Sequence, residues 1–208
     1  MVSRMFAATM LVIFLGGLCA RAQDGEAFTE VKRDGDVAIF ERWVPLHSNP
    51  DIKVRELKTE FYYRNSLDAG VQLLRSEKMA PEWRSHLLEF RIYPRTSHQW
   101  LEYTYHDIPW PVSNQDHFLQ FDVRKQTPQQ TLISFHSIES DQHAPLDGVT
   151  RITLRGSWLF EQVGHSRVKV VYRVTSIPSG IPRVFLDPII RSNMMTTIKS
   201  YIQLLEQP

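Results

Sequence analysis

The residues of this sequence that could do chemistry are scattered. There are eight histidines, and their tightest groupings with carboxylates are His106-Asp107 and Asp141-Gln142-His143. A helix-borne metal or general-base site needs ligands at helical spacing, as in His-Glu-x-x-His, and no such run occurs. No Gly-x-Ser-x-Gly elbow presents a serine as nucleophile. Cys19 is the only thiol, so disulfides, cysteine zinc sites and thiol couples are excluded. No metal and no cofactor is expected. What remains is a few polar residues set in apolar strands. In the segment 99–108, Trp100, Glu102, Thr104 and His106 share one face, while Leu101, Tyr103 and Tyr105 share the other. Hydrophobicity turns Leu101, Tyr103 and Tyr105 inward and leaves Glu102 a solvated carboxylate. Turned inward instead, Glu102 needs a partner to offset desolvation, and Arg151 and His106 are the candidates. Arg151, Arg155, Lys169 and Arg173 alternate along the late strands and read as a solvated outer face.

The elements that position these residues belong to a chain of 208 residues, 42% hydrophobic and 11% aromatic. That is enough for one domain with a real core, and too apolar for disorder. With 24 basic against 23 acidic residues, nucleic acid is not expected as a partner. Residues 1–22 read as an export signal: Arg4 in a short basic start, an apolar run Met5–Leu18, then Ala20-Arg21-Ala22 as the cleavage site. Cleavage before Gln23 removes two arginines and no acid, taking the formal charge from +1 to −1. The expected domain is therefore 23–208, cysteine-free, and periplasmic or secreted.

Alternation predicts strands over 28–32, 37–44 and 52–64, the first two joined by the Asp34-Gly35 turn. Ser66 reads as an N-cap before Leu67, Val71 and Leu74 at helical spacing. A second short helix is expected near Pro81. Six strands follow, over 89–93, 99–108, 117–125, 131–139, 149–163 and 167–176. A long amphipathic helix closes the chain from Ile181 to Glu206. Leu186, Ile190, Met194, Ile198, Tyr201 and Leu205 lie on one side of it; Ser192, Thr196, Lys199 and Gln203 lie on the other.

Four local motifs in this order resemble the START family, the lipid-transfer domains related to steroidogenic acute regulatory protein. They are Pro81-Glu82-Trp83, the run Ile108-Pro109-Trp110-Pro111-Val112-Ser113-Asn114-Gln115-Asp116, Gly148-Val149-Thr150-Arg151, and Pro178-Ser179-Gly180-Ile181-Pro182. The resemblance covers about Phe28 to Leu205. Gln115 stands where the family usually has arginine, so no buried ion pair is expected at Asp116. The resemblance implies an α+β helix-grip fold, a curved antiparallel sheet wrapped around the terminal helix, with a tunnel for one lipid or sterol-like ligand.

Carried onto this sequence, the resemblance and the apolar face give the candidate ligand-binding residues. Trp100, Glu102, His106, Leu119, Phe121 and Arg151 come from the strands, and Leu186, Ile190, Met194 and Ile198 from the helix. Glu102 falls where sterol-binding members carry a cavity acid, but their partnering arginine falls at Phe121. Trp110 is either packed under the sheet rim or a gate that touches a membrane while ligand passes; the first helical turns, Ile181–Leu186, are the other gate. The expectation is a monomeric, non-enzymatic carrier with transient membrane contact. Its rivals are an enzyme of the wider helix-grip superfamily acting on a buried apolar substrate, and a closed module that binds a protein partner.

Overall fold

The structure is a computed structural model and describes residues 26–46, 48–110, 112–140, 143–177 and 183–207. The expected signal segment, Cys19, the Pro178–Pro182 motif, and Pro111, Asp141 and Gln142 lie outside the described residues.

Local chemistry sets the early elements. Strands β1 (Thr29–Asp34) and β2 (Val37–Leu46) meet at Gly35, whose φ of +58° is one that glycine adopts without strain. β3 (Asn49–Arg64) is long: its first five residues are exposed, and from Leu57 to Tyr63 buried residues alternate with half-buried ones. Helix α1 (Leu67–Leu74) starts where the Ser66 hydroxyl accepts from the Ala69 amide at 3.1 Å. The short α2 (Ala80–Trp83) follows, with proline in its first turn.

The remaining strands are β4 (Leu87–Thr96), β5 (Gln99–His106), β6 (Gln115–Thr127), β7 (Gln130–Ser137), β8 (Thr150–Arg151), β9 (Leu154–Gln162) and β10 (Arg167–Ser176). They form one sheet in the order β1-β2-β3-β10-β9-β7-β6-β5-β4. Neighbours along that path are antiparallel. The strand expected over 149–163 is two strands. Thr150 and Arg151 leave the path and pair in parallel with β6, Gln115 opposite Thr150 and Asp116 opposite Arg151. The sheet is tightest at Gly156, where a Cβ would overlap the Arg173 carbonyl and the Phe135 ring.

Helix α3 (Arg183–Leu205) lies across one face of the sheet. Ile198, Tyr201 and Leu205 are buried in the main core with Phe61, Trp83, Trp158 and Phe160. Met195, which the expected apolar face omitted, is buried with them. Ser192, Thr196, Lys199 and Gln203 are exposed, as the periodicity requires. The helix is tied down at two points along its length: Arg191 to Glu41 at 2.9 Å, and Lys199 to Asp34 at 2.6 Å.

The outer face of β5 and β6 is covered as well. Leu101, Tyr103 and Phe118 form a second apolar cluster, with Tyr93, Tyr105 and Ile138 packed on it. His143 stacks on Tyr103 with ring centres 4.4 Å apart. Both faces of β5 are therefore dry, which hydropathy along one strand does not reveal.

Candidate functional site

Between the sheet and α3 lies a cavity of about 360 Å³. Strand alternation delivers its lining: Gln115, His117, Leu119 and Phe121 from β6, Glu102 and His106 from β5, and Tyr172, Val174 and Ser176 from β10. Leu186, Ile190, Met194 and Ile198 of α3 form the opposite wall, one turn apart. The lining is mostly apolar, with polar groups gathered at defined places.

The first polar place is Glu102, 1% exposed. Arg84, the residue that ends α2, donates from Nη1 to Oε1 at 3.1 Å and from Nη2 to Oε2 at 3.2 Å. The Thr104 hydroxyl donates to Oε1 at 3.2 Å, and His117 Nε2 lies 3.9 Å from the same oxygen. Burial raises the Glu102 pKa, but the charge of Arg84 with the help of His117 outweighs it, so the carboxyl sits below its ordinary value and stays ionised. This overturns the solvated reading of Glu102. It also corrects the partner: neither Arg151 nor His106 holds the carboxylate, and Arg84 does.

His106 is the second. Its Nδ1 donates to the Ser85 carbonyl at 3.1 Å. Burial, with the neighbouring charges of His117 and Arg84, pushes its pKa down to about 3, so the ring is neutral. Beside it, the Thr197 hydroxyl donates to Ser85 Oγ at 3.0 Å and accepts from the Ser85 amide at 3.2 Å. Farther along the wall Arg55 pairs with Asp187 in the first turns of α3, and both line the cavity.

Of the residues expected to meet a ligand, Glu102, His106, Leu119, Phe121, Leu186, Ile190, Met194 and Ile198 line this space. Trp100, Trp110 and Arg151 do not. Trp100 is on the inward face but completely buried, stacked on Phe121 with centres 4.9 Å apart and covered by the Arg75 guanidinium. Trp110 is 90% exposed and so is not packed under the rim. Arg151 lies on the outer side, donating to both oxygens of Asp116 at 2.7 and 2.9 Å. The ion pair at Asp116 thus forms after all, with the cation supplied by β8 rather than by position 115. Asp116 is 0% exposed and also accepts from Tyr103 at 3.3 Å. Arg151 therefore departs from the solvated outer face assigned to it, whereas Arg155 and Arg173 are exposed.

Sequence reasoning missed Arg84, His117 and Ser85. His117 was open to it, since it shares a face with Leu119 and Phe121 two and four residues on. Arg84 follows directly on the Pro81-Glu82-Trp83 motif, but nothing in the spacing of residues 84 and 102 announces their pairing.

With this geometry in view, the likeness to solved structures has a concrete meaning. A STAR-related lipid transfer protein fragment from Xanthomonas axonopodis superposes with a TM-score of 0.72 at 22% identity, covering 88% of this chain and all of that one. Human StAR-related lipid transfer protein 5 gives 0.73 at 14% identity, over 89% of this chain and 88% of the other. The Zhui aromatase/cyclase from Streptomyces sp. R1128 gives 0.55 at 11% identity, over 73% and 93%. The chain has the helix-grip fold. No protein-family model matches it, and no curated protein matches it by sequence. The likeness is therefore one of architecture: a curved antiparallel sheet closed by a terminal helix.

Proposed function

We propose that the chain is an exported member of the START family. It holds one hydrophobic ligand, a lipid or sterol-like molecule, between the sheet and α3, for transfer or buffering. The observation that carries this reading is the cavity: about 360 Å³, within the range of small-molecule sites and lined mainly by apolar side chains. Each methylene buried there is worth about 0.8 kcal/mol, so affinity comes from the walls and orientation from the polar groups. The helix-grip neighbours whose names describe lipid transfer support the same assignment. In this reading residues 1–22 are cleaved, the protein works in the periplasm or outside the cell as a monomer, and contact with membranes is transient, through Trp110. It is not an enzyme. Glu102 is engaged by Arg84 on both oxygens and His106 donates to a carbonyl, an arrangement that suits holding more than proton transfer. A packed interaction module is disfavoured by the same open volume.

The test is native mass spectrometry of the protein purified from its own extracytoplasmic fraction. The expected result is a chain beginning at Gln23 with one small apolar molecule bound. A chain that retains residues 1–22 removes the export reading. An empty protein that also takes up nothing from vesicles removes the carrier reading.

A further inference from the structure

The cavity has a chemical polarity that narrows its ligand, and the inference here rests on the carrier reading above. Four acidic and basic side chains line it in two pairs, Arg84 with Glu102 and Arg55 with Asp187, and His117, also in the lining, lies 3.9 Å from the Glu102 carboxylate. An ionised ligand headgroup would therefore find each of these charges already matched, and would bring an unpaired charge into a mostly apolar space, a costly transfer. Among the described lining residues, Trp83 Nε1 and Arg84 Nε are buried donors without a hydrogen-bond partner, closed off from the cavity's open volume by the side chains around them.

Ser85 and His106 differ from these. The Ser85 carbonyl fixes the proton of His106 on Nδ1, which leaves Nε2 an acceptor without a proton. Ser85 Oγ accepts a hydrogen bond from the Thr197 hydroxyl, which leaves its own O–H free to donate. Among the described residues neither His106 Nε2 nor the Ser85 hydroxyl proton has a protein partner. Gln115, opposite His106 in the strand register, adds only a neutral amide to the lining. One vacant acceptor and one vacant donor, on residues already joined by a hydrogen bond, complement a group that both donates and accepts. A hydroxyl does both. An ether, an ester or a carboxylate only accepts, and a hydrocarbon does neither.

Size narrows the class further. At about 360 Å³ the cavity lies at the small end of the range of about 300–1,000 Å³ that ligand sites span. That suits a single short chain or a compact ring system, and is far below a two-chain phospholipid. We propose that Ser85 and His106 form the recognition site for the hydroxyl of an uncharged, single-chain or compact alcohol.

The experiment is calorimetric titration of the delipidated protein with four matched probes: 1-dodecanol, methyl dodecyl ether, dodecanoate and tridecane. Dodecanol is expected to bind about tenfold or more tightly than each of the others, because only it fills both positions. His106→Phe should bring dodecanol to within about threefold of the ether, by removing the acceptor while tridecane binding persists. Ser85→Ala provides a second, smaller change and should cut the same preference partway. His106→Gln, which retains an acceptor oxygen, should keep part of it. Equal affinity for alcohol and ether, or tightest binding of dodecanoate, overturns the hydroxyl site and leaves the carrier reading standing. Failure of the folded wild type to bind any of the four overturns the carrier reading, and this inference with it.

Discussion

Asp116 and Glu102 sit on opposite faces of the same strand pair, both covered and both held by an arginine. Their surroundings differ. Asp116 takes two bonds from Arg151, at 2.7 and 2.9 Å, and a third from Tyr103, with aromatic rings packed around. Glu102 takes longer bonds from Arg84, at 3.1 and 3.2 Å, and borders open volume. Arg151 also donates to the His143 carbonyl, so the outer pair fastens β8 and the segment before it to the sheet. The inner pair fastens the end of α2 and, through a long bond from Arg84 Nη2 to the Leu74 carbonyl at 3.4 Å, touches the end of α1. A buried ion pair is weak evidence for net stability, yet removing one partner is costly when the other cannot reach water. The outer pair has the character of a structural rivet, and the inner one of a polar floor beside a binding space.

The largest expected effect separates the two. Asp116→Ala strands Arg151 against a packed surface and should lower unfolding free energy by roughly 3–5 kcal/mol in urea titration. Ligand affinity of the folded fraction should stay within about threefold, since distant sites are close to independent. Glu102→Gln keeps an acceptor for Arg84 beside volume that water can enter, and should cost only roughly 1–3 kcal/mol while altering ligand binding. Equal losses of stability, or a binding defect confined to the Asp116 variant, would break the distinction.

The contrast also explains what could be read from the chain. Local signals were sufficient where the cause is local: the Asp34-Gly35 turn, the Ser66 cap, and the exposed and apolar sides of α3. The facing of β5 was not legible. Alternation locates the core only if one face of a strand is wet, and here the ring of His143 and its neighbours dry the outer face. Polar pairings were the least accessible. Arg84–Glu102 joins a helix end to a mid-strand position, and Arg151–Asp116 depends on a two-residue parallel bridge that no periodicity encodes. Gln115 at the expected arginine position hid a pair that the fold restores from another strand.

A smaller effect should come from pH, and it belongs to the inner face. The His106 pKa is held near 3 in the folded protein by burial first and by His117 and Arg84 after it, against about 6.5 when unfolded. The unfolded chain thus binds the extra proton between those values. The contribution of neutral His106 is complete above about pH 6.5 and shrinks as pH falls, by up to ~1.4 kcal/mol per unit. At pH 5 the loss is roughly 2 kcal/mol. Glu102, whose folded pKa lies below its ordinary value, adds a loss of the same sign only at lower pH. Unfolding free energies measured from pH 7.5 to 5 should therefore fall for wild type and fall less for His106→Gln, the other histidines cancelling in the difference. Parallel curves would mean that His106 is solvated, and that the inner face is as open to water as an ordinary surface.

Trp110 should give the smallest change in stability and a change of another kind. It is 90% exposed and contributes nothing to the cavity wall, yet Ile108, two residues earlier, lines that wall. The Ile108 amide donates to Asn114 at 3.2 Å, and the Asn114 carbonyl accepts from Thr150 at 2.9 Å, so the base of this loop is tied to β8 and through Arg151 to the outer rivet. The loop therefore joins a fixed base, a cavity-lining residue and an exposed indole within a few residues. An indole suits the boundary between water and lipid, and a residue outside the wall touches ligand only during entry or exit. Trp110→Ala should leave unfolding free energy within about 0.5 kcal/mol and equilibrium affinity within roughly threefold, while transfer of a fluorescent lipid between vesicles slows several-fold. Combined with Asp116→Ala, which loosens the base, it should give a slowing that departs from the product of the two single effects, because the two act on one loop. Loss of binding in Trp110→Ala with the fold intact would place the indole against the ligand instead, and would move the working boundary of the site from the inner face to the rim.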